Sequence, residues 1–166
     1  VMAPDSPAMG KSNLAYLLSH YAESEPVQVM VNDTMRIASA TGDMPLGEAL
    51  AQIDIRFLVG KLTTFSEACA LPIYAFGPFS GSQLFVSGLW TKYDAVLAMY
   101  YDQAVLPLRM MSQGGCAAYW AGLPVVCAAP LHGPAFELAN LNKAQPDSYR
   151  KAVFLAFDVI QRRREQ

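Results

Sequence analysis

The chain is 166 residues long, the size of one domain; 53% of it is apolar and only 16% charged. That balance excludes a disordered chain, because this much apolar side chain can form a core without disulfides or metal. A net charge of −2 and a pI near 5.6 leave no basic field for nucleic acid.

Residues 1–10 are rich in Pro, Gly, Ala and Ser and read as a loop; the sequence opens at Val1, as a processed or partial chain would. Gly10-Lys11-Ser12 resembles the end of a phosphate loop, but Asp5 stands where that loop's first glycine belongs and no strand leads into it. Ser12 is placed to cap a helix running to about Ala22. Val27–Val31 and Arg36–Ala40 read as strands around the turn residues Asn32-Asp33. Leu46, Ala49, Leu50 and Ile53 share one face of a short helix, and Leu58, Leu62, Phe65 and Cys69 one face of the next. Pro72–Ser82 is a Pro/Gly/Ser connection.

The apolar run Asp94–Tyr100 predicts a buried parallel strand at the centre of a sheet. Leu106–Met111, Cys116–Trp120 and Val125–Ala128 predict further strands, Phe136–Leu141 a helix, and Pro146-Asp147-Ser148 the start of a last helix ending near Arg164. Arg162-Arg163-Arg164 then sits favourably at that helix's C-terminus. Met110–Phe136 holds no Asp, Glu, Lys or Arg, yet its Gly and Pro residues cut it into pieces too short to span a bilayer. Alternating strands and helices predict a single α/β domain, a mixed and mostly parallel sheet with helices on both faces.

The residues that carry chemistry are sparse. His20 reads as structural, and His132, in a turn, cannot build a zinc site with only one other histidine in the chain. Asp94 and Asp102 flank the predicted strand as caps or as site groups. Cys69, Cys116 and Cys127 lack C-x-x-C spacing, sit among apolar residues, and read as buried thiols of an intracellular reducing compartment, cytoplasmic or organellar. The residues taken singly predict no catalytic set.

D-A-V-L-A-M-Y-Y-D-Q-A-V-L-P-L-R, from Asp94 to Arg109, resembles the signature D-x-x-x-A-M-Y-H-D-Q-G-L-x-x-x-K of the 4-hydroxythreonine-4-phosphate dehydrogenases, the PdxA family. Gly122-Leu123-Pro124 is similar to the family's G-L-P, and His132-Gly133-Pro134-Ala135 to its H-G-T-A. Arg36–Leu46 is similar to R-V-A-L-V-T-T-H-x-P-L, and Gly10-Lys11-Ser12-Asn13 stands at G-H-T-E. The resemblance covers nearly the whole chain and corresponds to the second half of a family member. It implies an isocitrate/isopropylmalate-dehydrogenase-like fold, a nicotinamide cofactor (NAD), and a divalent metal held by three histidines.

The resemblance also implies that this site is degenerate. Asp43 stands at the first metal histidine and Tyr101 at the third, and the region from Leu71 to Phe76 is too short for the segment N-P-H-A-G-E that carries the second. The family's substrate-binding His-Thr pair becomes Lys11-Ser12, its Lys becomes Arg109, and a later Asn and Arg become Ala118 and Cys127. Asp43, Tyr101, Asp102 and His132 are therefore expected to be vestigial, with neither NAD nor metal bound. The expected role is a structural subunit. It would meet protein partners, or a second copy as family members do, through an apolar face including residues of Met110–Trp120. The alternatives are a shortened active dehydrogenase rebuilt on Asp43, Asp102, Arg109 and His132, and a phosphate-binding module using Lys11, Ser12 and Arg109.

Overall fold

The computed structural model describes residues 20–21, 25–69, 74–112, 114–133 and 135–165. Lys11, Ser12 and nearly all of the helix expected from Ser12 lie outside them. The described chain forms strands β1 (Val27–Val31), β2 (Arg36–Ser39), β3 (Val96–Ala98), β4 (Ala117–Ala121) and β5 (Ala128–Pro130). Its α-helices are α1 (Leu46–Gln52), α2 (Ile55–Cys69), α3 (Gly81–Val86), α4 (Tyr101–Met110) and α5 (Asp147–Glu165).

The five strands make one sheet in the order β3-β2-β1-β4-β5. β1 alternates strictly. Val27 and Val29 join Phe65 and Cys69 of α2 and Tyr119 of β4 on one face, with Leu155 and Val159 of α5 packed against them. Met30 joins Ile37 of β2 and Ala104, Val105 and Leu108 of α4 on the other. Helices on both faces explain why both sides of β1 are apolar. Asp54 begins α2, its Oδ1 accepting the Phe57 N–H at 2.7 Å.

The sheet is mixed, as expected, but it is not mostly parallel. β1–β2, β1–β4 and β4–β5 are antiparallel, and only β2–β3 is parallel. The four-residue link from Asn32 to Met35 enforces this, since a parallel neighbour needs a crossover of a dozen residues or more. Asn32 Oδ1 locks the turn by accepting the N–H groups of Thr34 (2.9 Å) and Met35 (2.7 Å). β3 is parallel as expected, but it is an edge strand of the described sheet, and Val96 and Leu97 are only half-buried.

Leu106–Met111 is not a strand: α4 runs through it to Met110 with Pro107 inside. Ala104, Val105 and Leu108 hold that helix to the core at helical spacing, which overrides the β-like local run. β5 begins at Ala128 rather than Val125. Phe136–Leu138 is a single 3-10 turn, ended at Ala139 (φ −58°, ψ 133°) and followed by left-handed backbone at Asn140 (φ 64°) and Asn142 (φ 54°). The expected apolar face at Met110–Trp120 is also corrected. All of β4 is buried within the sheet, and of the large apolar side chains in that stretch only Met110 stands well into solvent.

Two predictions follow from how β4 is held. Gly115 (φ +80°) lies against the start of α5, where an added Cβ would meet Ser148 Oγ at 2.6 Å and Ser148 N at 2.8 Å. The Cys116 N–H donates to Ser148 Oγ at 3.2 Å across the same contact. Gly115→Ala combines left-handed strain with a backbone clash and should cost about 2 kcal/mol or more, read as a lowered urea midpoint. Tyr119 donates its hydroxyl to the Ala68 carbonyl at 3.3 Å, and burial pushes its pKa up to about 12. The unfolded phenol ionises near 10 while the folded one keeps its proton, so this contribution is full below pH 10 and lost towards 12. Tyr119→Phe should cost about 1 kcal/mol at neutral pH, and urea unfolding should show that difference shrinking between pH 10 and 12.

Candidate functional site

β2 and β3 run the same way, so the loops after Ser39 and Ala98 leave the sheet at the same end. In open α/β sheets that end collects ligand-binding residues. Past the last ladder residues the two loops stay zipped: Ala40 N–H donates to the Ala98 carbonyl (2.8 Å) and Thr41 N–H to the Met99 carbonyl (3.3 Å). The buried Thr41 hydroxyl also donates to Met99 O at 3.3 Å, and Ser39 Oγ to Thr41 O at 2.6 Å. Gln103 Oε1 accepts the Met99 N–H at 3.1 Å, tying the β3 loop to the first turn of α4.

This scaffold brings Asp43, Tyr101 and Asp102 together. Asp43 is exposed on the β2 loop, Tyr101 is the half-buried first residue of α4, and Asp102 is exposed beside it. Burial pushes the Tyr101 phenol above its ordinary value, the nearby Asp43 carboxylate pushes it further, and Asp102 adds to both. Arg109, exposed in the last turn of α4, opposes them, so its guanidinium also acts on this cluster. At neutral pH the phenol is therefore protonated.

His132 stands apart. β5 runs opposite to β2, so His132, just beyond β5, emerges at the other end of the sheet from Asp43 and Tyr101. It is exposed, its Nδ1 2.8 Å from the Gly133 carbonyl oxygen. The fold therefore does not gather Asp43, Asp102, Arg109 and His132 into one site. Ala118 is buried in β4, and Cys127 is half-buried just before β5 with its thiol pushed up by burial. Among the described residues, no three His, Cys, Asp or Glu side chains converge as a metal-holding group.

Sequence inspection missed Thr41 and Gln103, the two side chains that set the geometry of the cluster. Both adjoin residues that were singled out, in T-G-D and Y-D-Q, but only the fold reveals their shared partner, Met99. A cavity of about 320 Å³ lies on the opposite face of the sheet, lined among others by Arg36, Glu67, Tyr119, Asp158, Arg162 and Arg163. Its lining carries charges of both signs, with Arg36, Arg162 and Arg163 beside Glu67 and Asp158.

The family model described as "Pyridoxal phosphate biosynthetic protein PdxA" matches residues 65–156. A 4-hydroxythreonine-4-phosphate dehydrogenase of Bacteroides thetaiotaomicron is 37% identical over 94 residues, covering 57% of this chain and 26% of that protein. One from Azoarcus sp. is 29% identical over 193 aligned positions, covering 91% of this chain and 58% of that protein. The 193 positions exceed the 166 residues of the chain, so that relative carries residues with no counterpart here. The crystal structure of 4-hydroxythreonine-4-phosphate dehydrogenase from Klebsiella pneumoniae superposes with a TM-score of 0.67 at 19% identity, over 87% of this chain and 56% of that one. At that identity the likeness establishes the fold. The chain thus spans little more than half the length of its relatives at most.

The electrostatics around Tyr101 are open to measurement. Asp43→Asn removes a charge that holds the phenol up, so the Tyr101 titration should move down towards the ordinary value near 10. Arg109→Gln removes the opposing charge and should move it up. Carbon NMR of ring-labelled tyrosine across an alkaline titration reads both shifts.

Proposed function

The chain belongs to the PdxA family, and we propose that it is a catalytically degenerate member acting as a structural or interaction subunit of a larger assembly. What supports this reading is the pair Asp43 and Tyr101, which keep the places of two metal-binding histidines but not their chemistry. The relatives' name implies oxidation of a substrate alcohol, and in the family a divalent ion polarises that hydroxyl. A neutral phenol is a poor ligand for such an ion, and burial together with the neighbouring Asp43 carboxylate keeps the Tyr101 phenol in its protonated form at neutral pH. The donors present do not fit that metal, and no step is derived through it.

Without the ion, the chain's residues retain scaffold functions. Thr41 and Gln103 hold the two loops together through Met99. Arg109 keeps a positive charge at the family's lysine position and favours a second reading, in which the loop end still binds a phosphate group. We propose a reducing compartment, because the sequence spacing of Cys69, Cys116 and Cys127 and their apolar surroundings suit free thiols.

The test combines activity with binding. Purified chain supplied with NAD, magnesium or zinc, and 4-hydroxythreonine 4-phosphate should yield no reduced nicotinamide. Calorimetric titration with either metal should show no one-site micromolar binding. Turnover, or metal binding abolished by Asp43→Ala, overturns the proposal. Substrate binding without turnover, lost in Arg109→Ala, establishes the phosphate-binding reading instead.

A further inference from the structure

The cavity between α2 and α5 has an apolar floor and a charged rim. β1 and β4 supply the floor through Val31, Tyr119 and Ala121, and Ala68 of α2 with Leu155 and Val159 of α5 line its sides. At about 320 Å³ it has the size of a small-molecule site, since such sites run from roughly 300 Å³ upward. Tyr119 belongs to the core on one face of the sheet and Tyr101 packs against the core on the other. The cavity is therefore separate from the Tyr101 cluster.

Its charges are not spent on one another. Three guanidiniums, of Arg36, Arg162 and Arg163, line it beside the carboxylates of Glu67 and Asp158. Among the described residues the ion pairs are Arg150–Asp147 and Lys151–Asp33, so none of these five groups has an opposite charge within 4 Å. The cations converge on the floor. All three act on the buried Tyr119 hydroxyl, and Arg36 and Arg162 act also on the Cys69 thiol at the end of α2. Glu67 and Asp158 act on neither group and are exposed to solvent. Arg162 and Arg163 suit the C-terminus of α5 by themselves. Arg36 comes from β2, and its convergence with them has no such account. Like charges gathered over an apolar floor repel one another, and an anion between them relieves that. A carboxylate matches the guanidinium fork with two hydrogen bonds, and the floor suits a hydrocarbon body attached to it. Three guanidiniums against two carboxylates leave a surplus of one positive charge, which a monoanion balances.

We propose that this cavity binds a small organic carboxylate, its apolar body on the floor and its anionic head among Arg36, Arg162 and Arg163. The proposal stands whether or not the Tyr101 cluster supports chemistry. Its test is calorimetric titration of the full chain with hydrocinnamate at low salt. One-site binding with a Kd on the order of 100 μM is expected. Acetate lacks the apolar body, hydrocinnamyl alcohol lacks the charge, and inorganic phosphate lacks the planar fork match; each should bind at least about tenfold more weakly. Arg36→Gln and Arg162→Gln should each weaken hydrocinnamate about tenfold with unchanged far-UV circular dichroism, and Asp158→Asn should not weaken it. Carbon NMR of ring-labelled tyrosine should show the Tyr119 signal moving on binding while the Tyr101 signal stays. No binding up to about 10 mM overturns the proposal. So does equal binding of the alcohol or of phosphate, or a ligand that moves Tyr101 and not Tyr119. Full affinity in Arg162→Gln, whose side chain is exposed in the last turn of α5, overturns it as well.

Discussion

β1 is the element on which the rest of the fold depends. It is paired on both edges, by β2 and by β4, and covered on both faces, by α4 on one and by α2 and α5 on the other. Its backbone polar groups are spent in two antiparallel ladders, and Val27, Val29 and Met30 are wholly buried. A one-residue slip would exchange the two cores and put Gln28 into one of them. The register of β1 thus fixes where β2 ends, and through the parallel β2–β3 pair where the loops of Asp43 and Tyr101 meet.

The loop end of the sheet shows how framework and chemistry separate. Thr41, Met99 and Gln103 form a closed set of hydrogen bonds that holds the geometry without using Asp43, Tyr101 or Asp102. Side chains projecting from such a frame can change while the frame persists. The Tyr101 phenol belongs to the packed side of this division: it rests against the core built around Met30, Ile37 and Leu108, and that burial raises its pKa. Gly115 and Gly122 belong to the frame as well, since an added Cβ would strike Ser148 at one and Thr64 at the other.

The apolar excess in the composition has a location in the fold. It is not at β4, which the sheet buries, but on the helices and loops around the sheet. Leu46 and Leu50 of α1, Ile55 and Val59 of α2, and the outward side of α5 all face solvent. α1 buries only Ala49, so its amphipathic stripe is present without a core to cover it. No helix in the described chain is long and apolar enough to cross a membrane.

What the sequence determined by itself was local or carried by motif. The alternation of β1, the stripe Phe65–Cys69, the helix start at Asp147 and the family signature from Asp94 to Arg109 were legible because each is written in neighbouring residues. The turn at Asn32-Asp33 was legible too, but not the antiparallel β1–β2 pair that its shortness enforces, since the sheet was expected to be mostly parallel. Only the tertiary structure decided that β3 lies at an edge, that Leu106–Met111 is helical, and that His132 sits at the far end of the sheet from Asp43. Those outcomes depend on which strands pair and in which direction, and on packing between residues tens of positions apart. Hydrogen bonds such as Thr41 to Met99 and Cys116 to Ser148 join segments whose own sequences carry no record of the partner.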